Sequence, residues 1–103
     1  VIYRAGMHGG VGFKAMSGEF LRRYGLSTEC RTQFLAGLER LKREPVDVFV
    51  GNHLGNNCSL EKVARREAAP DGPNPFIDPG EWLRFLNGKE AEFRRFLEED
   101  DKK

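Results

Sequence analysis

Histidine and cysteine are nearly missing from this chain, with two of each among 103 residues. Cys30 and Cys58 are too few for a disulfide framework and form no C-x-x-C pair. A reducing, cytoplasmic compartment is therefore the default, and the compartment itself stays open. Two histidines fall short of the three protein ligands that a catalytic zinc ordinarily takes. No run of about 18 apolar residues exists, so no membrane span is expected, and nothing reads as a signal peptide. An excess of one charge is also lacking. Lys and Arg number 17 against 16 Asp and Glu, a net charge of +1, which gives no reason to expect nucleic acid or an anionic membrane surface. The pairs Arg65-Arg66 and Arg94-Arg95 have glutamates nearby and read as solvated helix faces. An initiator Met is missing too: the chain enters at Val1 on an apolar run. That start, together with a candidate metal ligand, His53, that lacks the companions a metal site needs, predicts the carboxy-terminal part of a larger enzyme, whose amino-terminal segment would be the place for any export signal.

What is present is ordinary for a folded chain: 39% apolar and 32% charged residues, which argues against wholesale disorder. At this length the chain is one domain at most, and we read residues 1–103 as a single partial domain. Val1-Ile2-Tyr3-Arg4-Ala5 is β-branched and aromatic and predicts a strand. The glycine-rich stretch from Gly6 to Phe13 predicts a loop. Lys14 to Tyr24 fits a short helix closed by Gly25 as a left-handed cap. A longer helix follows from a cap at Ser27 or Thr28 to about Arg43, with Cys30, Phe34, Leu38 and Leu41 on one face and Leu35 widening it. Val46 to Val50 predicts a strand buried on both faces. Ser59 caps a helix to about Ala68, and the stretch from Pro70 to Pro75 is irregular. Asp78 and Glu81 have capping-box spacing with Pro79 at the first helical position. In that last helix Trp82, Phe85, Leu86, Phe93, Phe96 and Leu97 form a core stripe, Gly88 marks a potential break, and the tail after Leu97 is expected to fray. Two strands do not make a stable sheet in water, so both need partners, either other chain segments or further copies.

Few residues carry chemistry. His53 follows a strand directly, where side chains of layered α/β proteins project into the open mouth of a site. Taken alone, it reads first as a loop residue. His8, among glycines, reads first as a solvent-facing loop residue. A zinc site from His8, His53 and Cys58 follows no known mononuclear spacing. Cys58 reads as a small packing residue before a nucleophile. Asp47 interrupts an apolar strand and is expected to bond backbone amides of a neighbouring turn. Gly9-Gly10-Val11-Gly12 lacks the Lys-Ser/Thr ending or the full glycine pattern of a phosphate cradle.

The words from Val46 through His53, and from Asn74 through Trp82, are similar to the ending of metallo-β-lactamase-fold hydrolases, which the run from Val46 through Leu86 resembles. The resemblance implies an α/β fold, the carboxy-terminal part of an αββα metallo-β-lactamase-like sandwich with two short strands and amphipathic helices. It makes His53 the last metal ligand and leaves His8, Asn52 and Asn56 as pocket or outer-shell candidates. It further implies zinc in the complete enzyme and a small-molecule substrate, a β-lactam, lactone or thioester opened by metal-bound hydroxide. The family's H-x-H-x-D-H signature is absent from these residues. The ligand set is thus incomplete, and the chain alone is expected to be inactive, its sheet completed by an amino-terminal segment or another chain. The rival reading is a non-catalytic α/β interaction module that completes its sheet with another chain or with itself.

Overall fold

A computed structural model describes residues 1–9 and 12–103. The middle of the glycine-rich loop expected around Gly9 to Gly12 lies outside the described residues. These residues form a mixed α/β arrangement: β1 (Ala5–His8), a 3₁₀ turn (Lys14–Met16), α1 (Gly18–Arg23), α2 (Glu29–Lys42), β2 (Val48–Gly51), α3 (Ser59–Ala68) and α4 (Glu81–Asp101). The chain divides into two compact units. One comprises Val1–Gly9 and Pro45–Phe85; the other takes the described residues 12–44 together with Leu86–Lys103.

In the first unit β1 and β2 pair in parallel, with Ala5 opposite Val48, Gly6 opposite Phe49, Met7 opposite Val50 and His8 opposite Gly51. Asp47 starts the pairing. Its Oδ2 accepts from the Arg4 amide at 2.9 Å, its own N–H donates to Arg4 O at 2.8 Å, and its carbonyl accepts from Asp78 N at 2.8 Å. The carboxylate therefore serves backbone amides, as its place in an apolar strand suggested. The first strand begins later than its β-branched residues predict. Val1 and Ile2 are fully exposed and precede it, because a partner strand exists only from the Asp47–Arg4 clamp onward. Gly6 and Met7, expected in a loop, are strand residues, and so is His8.

One face of this sheet is covered. Phe49 is buried, with its ring 5.7 Å from Trp82 and 4.4 Å from Phe85 between centroids. A Cβ on Gly6 would lie 2.9 Å from one Val46 methyl and 3.3 Å from the Trp82 ring, so a glycine is required there by close approach. The opposite face carries Met7 and Val50, 62% and 41% exposed. The expectation that β2 is buried on both faces is therefore corrected: side chains alternate, and only the Phe49 side is packed among the described residues. His8 falls on that packed side at the strand end. Its Nδ1 is buried with no hydrogen-bond partner among the described residues, and burial pulls the imidazole pKa below its usual value.

Further along this unit, Cys58 rather than Ser59 caps α3, in a left-handed conformation with φ 54° and ψ 45°. The Ser59 hydroxyl turns back to Asn57 Oδ1 at 2.6 Å instead. Cys58 is exposed, which overturns its reading as a packing residue. Lys62 is buried and donates to Glu81 at 2.5 Å, with its ammonium 5.6 Å from the Phe76 ring centroid. Asp78 closes the turn before α4 by accepting from Gly80 N at 3.0 Å and from Glu81 N through its carbonyl at 3.2 Å. That turn holds Pro79 and Gly80 outside the helix, which starts at Glu81 rather than at Pro79.

The second unit has its own core of Leu21, Leu38, Leu86 and Phe93. Phe13, Phe34, Phe93 and Phe96 cluster there, with Phe34 4.5 Å from Phe93 and Phe13 4.9 Å from Phe96. The single helix expected from Lys14 splits at Ser17, whose extended backbone and hydroxyl cap α1 through Phe20 N at 3.1 Å. Gly25 closes α1 at φ 63°, and Leu26 N reaches back to Leu21 O at 2.8 Å, a Schellman ending. α4 runs through Gly88 unbroken and does not fray after Leu97. Asp100 ties its end down, accepting from Arg31 Nη2 at 2.7 Å and from Gly18 N at 3.0 Å. The Arg31 guanidinium, and then the Gly18 amide, hold the Asp100 carboxyl below its usual pKa.

Gly6→Val should lower stability by about 1–3 kcal/mol through overpacking against Val46 and Trp82, read as a lower midpoint in urea unfolding. The neutral form of His8 is favoured in the folded chain, so the unfolded chain binds more protons just below pH 6.5. Stability should therefore fall as pH drops through 6.5 and below it toward the lowered folded pKa, and His8→Gln should flatten that decline. An unchanged slope in the variant would assign the decline to another group.

Candidate functional site

Parallel strands bring their carboxyl ends to one edge, and in layered α/β folds that edge is where ligands bind. Here β1 ends at His8 and β2 ends at Gly51 beside it. Asn52 and His53 follow at once. Asn52 lies next to the β1 exit, with its Nδ2 3.5 Å from where a Gly9 Cβ would stand. Both histidines thus come to the same end of the sheet, one from each strand.

The loop from Asn52 to Cys58 doubles back sharply over Gly51. A Cβ at Gly51 would meet His53 O at 2.6 Å, Asn56 Cβ at 2.8 Å and Asn57 Oδ1 at 3.1 Å, so no larger residue fits without moving the loop backbone. Asn56 N donates to His53 O at 3.0 Å and Ser59 N to Leu54 O at 3.1 Å. Asn56 Nδ2 donates to Asn52 Oδ1 at 2.7 Å, so these two candidates bond to each other across the turn. His53 is exposed at the bend.

Asn57 went unnoticed in the sequence, yet it is 3% exposed within a loop that is otherwise mostly open. Its Nδ2 donates to the Phe49 carbonyl at 3.1 Å, and its Oδ1 accepts from Ser59 Oγ. The available signal was weak: a second consecutive Asn just ahead of a helix start, where Asn side chains commonly bond local backbone.

Chemically, an exposed imidazole on a braced turn offers one nitrogen to a metal or a proton. Among the described residues, no group of three or more His, Cys, Asp or Glu is placed to hold a metal ion. His8, His53 and Cys58 do not form such a group. The residues present do not by themselves fit a catalytic zinc, which needs three protein ligands and an open position.

No protein-family model matches the sequence, and no curated protein matches it. Solved structures do match. A metallo-beta-lactamase from Cronobacter sakazakii (Enterobacter sakazakii) with a HARLDQ motif is 28% identical with a TM-score of 0.58, over 66% of this chain and 26% of that one. A mutant of that protein reaches a TM-score of 0.59 at the same identity and coverage. A subclass B3 metallo-beta-lactamase of Bradyrhizobium japonicum is 28% identical with a TM-score of 0.57, over 65% of this chain and 25% of that one. This chain thus spans about a quarter of the length of the structures it matches. The HARLDQ hexapeptide does not occur among these 103 residues. Over 66% of its length, the chain has a metallo-β-lactamase-fold relationship.

Proposed function

We propose that this chain is the carboxy-terminal part of a zinc-dependent hydrolase with an αββα sandwich, acting on a β-lactam, lactone or thioester. The observation that carries this reading is His53, presented at the carboxyl end of β2 in a chain whose fold relatives are metallo-beta-lactamases. His53 contributes one ligand, and the others come from residues beyond these 103, in a longer chain or a partner. No catalytic step is assigned to the chain by itself. Its own residues shape one wall of the site. Gly51 lets the turn close, the Asn52–Asn56 pair holds the bend, and His8, its pKa lowered by burial, lines the strand end.

A second reading has its own support, the unfinished sheet. Val48 N donates to Arg4 O at 3.1 Å, so Val48 and Val50 aim their backbone groups at β1 while Phe49 aims outward. Asn57 occupies that outer edge of β2 at Phe49 O. The same alternation turns the backbone of Ala5 and Met7 to the outer edge of β1, beside the exposed Met7–Val50 face. A non-catalytic module would use that edge and face to complete its sheet with another chain or a second copy.

The test joins the chain to the gene segment upstream of Val1 and assays hydrolysis of a β-lactam, a lactone and a thioester with added zinc. The expected result is no turnover by the 103-residue chain, turnover by the joined protein, and a loss in His53→Ala beyond the roughly 10–100-fold typical of losing an outer-shell partner. Zinc-dependent turnover by the isolated chain, free of parent enzyme, would overturn the partial-enzyme reading. Self-association of the chain, with no activity on joining, would favour the module.

A further inference from the structure

We infer that Asn57 is the positioning residue for His53, fixing the turn that presents the imidazole; this rests on the reading of His53 as a ligand. Four observations converge on Asn57. It is buried while Asn52, His53, Leu54 and Gly55 are exposed, so the loop has little apolar burial to order it. Its amide joins two separate elements, donating to Phe49 O at the outer edge of β2 and accepting from Ser59 at the first residue of α3. Its Oδ1 sits 3.1 Å from where a Gly51 Cβ would stand, so the side chain fills the space that the glycine leaves open. The left-handed Cys58 next to it turns the chain into α3. That is a costly conformation for a non-glycine residue, and it persists only where the surroundings fix it.

The consequence for His53 is geometric. The His53 carbonyl is pinned by Asn56 N and packed against Gly51. The segment from 52 to 57 is therefore held at its start by β2, at Leu54 by the Ser59 amide and at its end by the Asn57 side chain, with His53 between. Removing the amide leaves the Phe49 carbonyl without this donor and takes away the tie between the end of the turn and β2. Asn56 and Asn52 cannot replace it, because their side chains bond each other within the loop rather than to β2.

The experiment compares the ¹⁵N-labelled 103-residue chain with Asn57→Ala and Ser59→Ala by backbone relaxation and by His53 ring signals, without metal. Positioning predicts that order parameters for residues 52–56 fall from about 0.85 to below about 0.6 in Asn57→Ala. The His53 ring should then average between rotamers, while Phe49 and Trp82 signals keep their folded dispersion. A merely structural role would lower the unfolding midpoint and leave His53 order unchanged, and that result overturns the proposal. Should Asn57→Ala fail to fold, Ser59→Ala decides. It removes only the hydroxyl that orients the amide, and a smaller loss of order at 52–56 supports the proposal while none overturns it. Zn²⁺ added to the protein joined to its upstream segment tests the ligand reading separately. His53 ring signals that ignore zinc there would sink that reading and leave the order-parameter comparison on the 103-residue chain intact.

Discussion

Phe49 is the residue on which the first unit depends, because its two ends do different work. Its ring packs against Trp82 and Phe85 in the start of α4, and its carbonyl accepts the Asn57 amide. Hydrophobic burial of a phenylalanine contributes about 1.5–3 kcal/mol relative to exposure. A hydrogen bond contributes a net of about 0.5–1.5 kcal/mol. The ring therefore holds the strand in place, and the carbonyl transmits that fixity to the loop carrying His53. Loss of the ring would loosen both, whereas loss of the amide would loosen only the loop.

The rest of this unit compensates for a small apolar core with polar ties. Val46, Phe49 and Trp82 are its buried apolar side chains among the described residues, few for a parallel pair, which ordinarily has both faces covered. Asp47 and Arg4 fasten the start of the ladder, and Lys62 with Glu81 fastens α3 to the first turn of α4. Lys62 at 4% and Glu81 at 17% side-chain exposure form a pair whose desolvation offsets much of its attraction. Removing one partner alone would strand a buried charge, which is the more damaging change.

Much of this was legible in the sequence where a single period decides the outcome. The stripe from Trp82 to Leu97 obeys helical spacing, and the structure buries Trp82, Leu86 and Phe93 as that spacing requires. The Gly25 cap was equally readable, since a left-handed ending selects glycine. What failed were features set by distant partners. The β-branched start at Val1 lost its strand to the register that Asp47 imposes from residue 47. Asp100 looked like part of a solvated tail, but Arg31 and Gly18, far back in the chain, hold it. Of the site, His53 was visible as an imidazole after a strand, and the resemblance gave it a role. Asn57 was not visible, because one asparagine among several has no pattern, and only folding shows which one is enclosed.

The proposed role of His53 as a ligand sets what its loop would have to achieve. A metal ligand has to be held to within roughly 0.5 Å of its productive place, and loops meet that demand poorly unless they are braced. This loop has no buried apolar side chain of its own, as Leu54 is 62% exposed. Its order comes from a glycine that permits close approach, one left-handed residue and a few hydrogen bonds, each of modest net worth. Such bracing fixes the path of the turn but adds little to global stability. The left-handed Cys58 and the buried Asn57 are the two features that set the path of this loop between β2 and α3. In the same unit Met7 and Val50 leave one sheet face open, and among the described residues no strand pairs with the outer edge of β1.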